Sequence, residues 1–247
     1  MLQQVRRSLG LNTKEKLAQE TAEWKRAGNA ALEAAGLTDS LGPLLERSIF
    51  AHAASRLALG FMLAEASKDT LYFVPTFSNY HYLRLRGEAA MLGAFFMQHP
   101  VSHAGVMCAS PSRNFSEMDK EVVVTHELTH ASFAMAGRYD ESATIEGVEV
   151  SPEVLDEIEA YQNSGRVIAA HTSGSFYGLV DEMYGKMAAG NLDYPSKPYD
   201  LTGSVHADLV RSSSLTVLPT AYALAAAQLI GGGSMSTAEL QRVTQFL

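Results

Sequence analysis

The sequence predicts an α+β chain, mostly helical, with a small mixed sheet in its middle. Three observations carry this. Residues 14–35 are rich in Ala, Glu, Lys and Leu, and helical stretches recur through the first and last thirds. Two short β-branched and aromatic runs lie between them, residues 70–76 (TLYFVPT) and 104–109 (AGVMCA). The strongest helical stretch, residues 120–136, follows the second run almost at once.

The elements read in order as follows. Residues 14–35 form a helix that Gly36 stops. Residues 41–67 continue as a second helix begun by Gly42-Pro43, with Leu44, Leu45, Ile49, Ala53, Leu57 and Phe61 at helical spacing. After the strand at 70–76, residues 87–99 read as a helix that Pro100 ends. The strand at 104–109 is followed by a turn at 110–114. Ser116 with Asp119 resembles a capping box for the helix at 120–136, and Gly137 is its C′ residue. Residues 138–150 read as a loop holding Asp140, Glu141, Glu146 and Glu149. Ser151-Pro152-Glu153 opens a new helix, with an N-cap serine, proline at the first position and acid in the first turn; it runs to about residue 170. Further helices are expected at 176–189, 205–212 and 219–230, with a Pro195- and Pro198-containing loop at 191–203. This divides the chain into an N-terminal helical region (1–68), a middle part with the sheet and the 120–136 helix (69–150), and a helical C-terminal part (151–247).

Composition narrows the function classes. The 247 residues are 47% hydrophobic and 19% charged, which is ordinary for a globular protein. A net charge of −8 repels phosphate backbones, so nucleic acid is not an expected partner. One cysteine, Cys108, precludes an intrachain disulfide and reads as a small core residue, as Trp24 reads as core. The apolar stretch at 215–230 is broken by Pro219 and Gln228 and is too short to span a bilayer. Residues 1–20 lack the apolar run of a secretory signal, so a cytoplasmic location is expected, although leaderless secretion would leave no trace. Oligomeric state is not legible.

The chemistry concentrates in His126-Glu127-Leu128-Thr129-His130, an HExxH string. Residues four apart on a helix stand one turn above each other, so both imidazoles can reach one cation. Zinc accepts such nitrogens together with a carboxylate. Glu127 points beside the metal, where a carboxylate can accept a proton from water and pass it to a leaving group. The opposite stripe, Val124, Leu128, Ala131 and Met135, is apolar and can anchor the helix. His99 and His103 are discounted as ligands because Pro100 breaks the helix between them.

A catalytic zinc needs a third protein ligand. Phe133 and Ala136 stand where an HExxHxxGxxH pattern would need its glycine and last histidine, and His171 is 41 residues beyond His130. A carboxylate is therefore expected: Glu157 or Glu159 in the helix after Ser151, or Asp140, Glu146 or Glu149 in the preceding loop. Glu157 and Glu159 are two apart and face different ways, so they cannot both serve.

Residues 70–165 resemble the gluzincin peptidases, an HExxH clan whose ligand glutamate comes from a downstream helix, often as ExxA or ExxAD. Glu157 with Ala160 matches ExxA, and Tyr161 stands where Asp is common. The resemblance implies a zincin-like core, one zinc per chain held by His126, His130 and Glu157, and cleavage of a peptide or protein substrate by water activated by Glu127. Ala160 would let the two helices pack closely. It also implies a histidine or tyrosine donor for the developing oxyanion. Gly203-Ser204-Val205-His206 is similar to the GGVH segment of the thermolysin group, which makes His206 a candidate beside Tyr184, Tyr194 and Tyr199. In such a fold a sheet edge strand runs along the cleft, a place that 104–109 would take. Residues 1–68 lie outside the resemblance, with a cap or an inhibitory lobe as candidate roles. Two other readings of the motif are an amide or ester hydrolase or tailoring enzyme on the same scaffold, and a non-catalytic helical binding domain.

Overall fold

The computed structural model describes residues 14–53, 55–75, 94–109, 117–140, 142–172 and Glu239. These residues form a mixed α+β arrangement, mostly helical, around one small sheet. The chain begins with α1 (Lys14–Ala34) and α2 (Thr38–Arg47), then β1 (Ile49–Phe50), α3 (Arg56–Glu65) and β2 (Leu71–Val74). β3 (Ala94–Gln98) and β4 (Gly105–Ala109) follow, then the HExxH helix α4 (Glu117–Met135) and a 3-10 turn (Arg138–Asp140). A hairpin of β5 (Ala143–Ile145) and β6 (Val148–Val150) leads into α5 (Pro152–Thr172).

The sheet order is β1-β2-β4-β3, with β1, β2 and β4 parallel and β3 antiparallel to β4. Both faces are covered, so the strands read as apolar runs. Leu71, Phe73, Met107, Ala94 and Ala109 pack with Trp24, Leu32, Leu45, Val124, Leu128 and Ala131 from α1, α2 and α4. Val74, Val106, Cys108 and Phe95 pack on the other face with Leu59 and Leu63 of α3. Trp24 meets Phe73 edge-on, with ring centroids 5.0 Å apart. The N-terminal helices thus complete the core that carries the HExxH helix. Gly28 matters to that packing. A Cβ there would stand 2.7 Å from Leu45 Cδ2 and 3.0 Å from Val124 Cγ1, so glycine lets α1 approach both α2 and α4.

Four expectations are corrected. First, the helix expected over 41–67 is two helices with a strand between them. The chain leaves α2 at Ser48, pairs β1 with β2, and restarts α3 at Ser55, whose Oγ accepts from Ala58 N at 3.2 Å. The break shifts the helical register, so Ile49, Leu57 and Phe61 are exposed and Leu59 and Leu63 are buried instead. Gly42-Pro43 lies inside α2 rather than at its start.

Second, part of the helix expected over 87–99 is strand β3. Pairing along the whole of β4 overrides a composition (AFFMQ) that either structure tolerates. Pro100 opens a turn, and His103, at φ +57°, returns the chain into β4. His99 N donates to Ala104 O at 2.8 Å across that turn. Third, 104–109 is not an edge. β4 is flanked by β2 and β3, and the two edges of the sheet among the described residues are β1 and β3. Fourth, the loop expected at 138–150 contains the β5–β6 hairpin. Its turn is Glu146-Gly147, at φ +51° and +76°, the paired left-handed geometry of a tight hairpin.

The helix limits at the site follow the sequence closely. α4 ends with Gly137 at φ +71°. Ser151 caps α5, its Oγ accepting from Val154 N at 3.4 Å. Ser116, the candidate cap of α4, and the helices expected beyond 172 lie outside the described residues. No helix among the described residues is long and apolar enough to cross a membrane.

Candidate metal centre

α4 and α5 run antiparallel, as their cross-contacts show: His126 meets Ser164, Thr129 meets Asn163, and His130 meets Asp156. The small, fully buried Ala160 lies one helical turn from both Asp156 and Ser164, on the face of α5 that meets α4, and lets the helices approach closely. On α4, Val124, Leu128 and Ala131 are buried in the sheet-side core, and Met135 packs against it. The run of β-branched residues at Val122–Thr125 is a weak helix former, and burial of Val124 and Thr125 compensates. The helix is thereby held on one side by the sheet and on the other by α5.

His126 and His130 turn their Nε2 atoms toward each other, 3.0 Å apart. Glu157 Oε2 lies 3.9 Å from each of them. Among the described residues, His126, His130 and Glu157 form the group whose donor atoms could hold a metal ion, all within 4.8 Å of one another. Ligands about 2.0–2.1 Å from a tetrahedral cation lie about 3.3 Å from one another, so a half-ångström adjustment of Glu157 completes the fit.

The outer nitrogens of both rings are already engaged. Ser164 Oγ donates to Ala160 O at 2.8 Å, so toward His126 Nδ1, 3.3 Å away, it can only accept. His126 therefore carries its proton on Nδ1 and presents a bare Nε2. His130 Nδ1 lies 2.8 Å from Asp156 Oδ2, an acceptor, so its proton is also placed on the outer nitrogen. Both tautomers suit metal ligation through Nε2.

The charges follow. Burial, and then the neighbouring His130, hold His126 well below the usual 6.5. Burial also opposes charge on His130, but the carboxylates of Glu157, Asp156 and Glu127 outweigh it and raise its pKa to about 10. Glu127 is 4% exposed, and its charge is felt at both His130 and Cys108. Burial pushes the Cys108 thiol up, so it remains a neutral core group.

Glu159, the nearest rival to Glu157, is engaged elsewhere: Arg138 donates to both its oxygens at 2.6 Å. Asp140, Glu146 and Glu149 do not join the group. His206, Tyr184, Tyr194 and Tyr199 lie outside the described residues, as does the side chain of His171. Sequence reasoning missed Asp156, Ser164 and Tyr139. Only Asp156 left a trace, as an acid adjoining Glu157 about 100° round the helix. No protein-family model matches the chain, and no curated protein or solved structure matches it either.

Proposed function

We propose that this chain is a zinc metallopeptidase with a zincin-like core, in which His126, His130 and Glu157 hold one zinc and Glu127 is the general base. The observation that carries the reading is the convergence of two Nε2 atoms and one carboxylate oxygen, with each outer histidine nitrogen within 3.3 Å of a protein oxygen. Two nitrogens and one oxygen are a donor set that suits zinc and leave a position for water or substrate.

Zinc bound there supplies a Lewis acid that acidifies water and polarises a scissile carbonyl. The chain's own residues do the rest. Glu127, next to His126 and buried, takes a proton from the attacking water and delivers it to the departing amine. The outer nitrogens of His126 and His130 face Ser164 and Asp156, so both rings already turn Nε2 toward the place of the cation. β3, the longer of the two edge strands among the described residues, has the backbone polarity to align an extended peptide by strand pairing.

The test uses zinc analysis and digestion of a peptide library by wild type and Glu127→Gln. The expected result is about one zinc per chain in both proteins, cleavage by wild type, and a loss of at least about 100-fold in the variant. Equal turnover in the variant, or protein that neither contains nor binds zinc, refutes the proposal. Turnover of small amides or esters alone would transfer the site to the non-peptidase reading.

A further inference from the structure

Asp156 is a buried carboxylate, its side chain 6% exposed, and a buried charge is costly unless it is paired. One of its oxygens, Oδ2, meets two donors: His130 Nδ1 at 2.8 Å and the Tyr139 hydroxyl, in a very short contact. Tyr139 belongs to the 3-10 turn that follows α4. Its ring packs on Phe133 with centroids 5.0 Å apart, and its hydroxyl reaches across to α5. The same turn sends Arg138 over the Phe133 ring, 4.1 Å from its centroid, and onto both oxygens of Glu159. Asp156 and Glu159 are three residues apart on α5 and share a face, and Glu157 lies between them in sequence. One turn therefore grips α5 at two points that bracket the third member of the metal group.

Resting on the reading that a cation sits among His126, His130 and Glu157, we propose that Asp156 and Tyr139 are positioning residues of the metal centre. Asp156 accepts from His130 Nδ1, fixes the ring so that Nε2 faces the cation, and places negative charge behind the ligand, which strengthens it as a donor. Tyr139 holds Asp156 in that outer place. Asp156 is the acid next to Glu157, and without the Tyr139 hydroxyl it is at liberty to turn toward the cation in competition with Glu157. Tyr139 is suited to the task because burial, and then the Asp156 charge, push its pKa up, so it stays a neutral donor across the working range. The chain thus reads Asp156 as the partner and Glu157 as the ligand because of a residue far from both in sequence.

The experiment compares full-length wild type, Asp156→Asn and Tyr139→Phe, each first shown to melt cooperatively. Asp156→Asn is nearly isosteric, which keeps the test available if Asp156→Ala does not fold. Zinc affinity is measured by competition with a chelator, and the metal-free proteins are examined by proton NMR for an exchange-protected, downfield His130 Nδ1–H resonance. Zinc affinity should fall about 10- to 100-fold in Asp156→Asn and by a smaller factor in Tyr139→Phe. The double variant should be no weaker than Asp156→Asn alone, since Tyr139 acts through Asp156. The Nδ1–H resonance should be present in wild type, shifted in Tyr139→Phe and lost in Asp156→Asn. Folded Asp156→Asn with zinc affinity within twofold of wild type and an unchanged resonance overturns the inference. A wild-type protein that binds no zinc overturns the metal reading instead, and the resonance still reports separately on the Tyr139–Asp156–His130 chain.

Discussion

Zinc binding to this chain should expel about one proton at pH 6. Of the two histidines, burial keeps His126 neutral, while the surrounding carboxylates raise His130 to about 10. The metal-free pair therefore carries one ring charge, and its proton must leave when the cation binds. A ligand that must lose one proton gives a tenfold rise in apparent affinity per pH unit, about 1.4 kcal/mol, as long as the pH stays below its pKa. Titration calorimetry at pH 6 in buffers of different ionisation enthalpy counts the protons directly, and ionisation of water on zinc near pH 7 does not enlarge the count there. The same shift makes the metal-free fold pH-dependent. The folded state holds the His130 proton more tightly than the unfolded chain does. That contribution to stability is fully present below about 6.5 and is lost as pH rises toward about 10. Metal-free protein should accordingly lose melting temperature across that window, and zinc should remove this dependence. Zero protons released, or two, would refute the assignment of one neutral and one charged ring.

Two other predictions follow from the packing of α4 on α5. Glu157→Ala should weaken zinc binding by more than about 100-fold, a larger loss than partners outside the ligand set produce, while Glu159→Ala should change it less than about threefold; chelator competition separates them, and a reversed order would make Glu159 the ligand. Leu128 is fully buried on the sheet side of the HExxH helix, so Leu128→Ala should cost about 3 kcal/mol in urea denaturation, and a loss under about 1 kcal/mol would mean that the helix is not anchored there.

The parts of this structure that were legible in the sequence are those fixed by local rules. His126 and His130 are one turn apart on any helix, Gly137 and Ser151-Pro152 mark helix limits by their own conformational preferences, and Glu157 stands in a helix the sequence places. What was not legible depends on partners distant in the chain. Residues 94–98 carry no strand period strong enough to defeat a helical reading, and it is pairing with β4 that decides. The alternation of Ala143, Ile145, Val148 and Val150 was a usable sign of the hairpin, but a cluster of acids around it masked the pattern. β4 looked like an edge because it directly precedes the HExxH helix, and only the return of β3 beside it makes it interior. Arg138 pairs with Glu159, while His130 and Tyr139 meet Asp156, contacts that no spacing along α5 encodes.

X-ray absorption at the zinc edge of the loaded protein bears most directly on the ligand set. Two imidazole nitrogens and light oxygen scatterers at about 2.0–2.2 Å are expected in wild type, with the imidazole signature retained and zinc weakly held in Glu157→Ala. A shell of oxygens without imidazole, or a sulfur at about 2.3 Å from Cys108, would contradict a centre built from His126, His130 and Glu157.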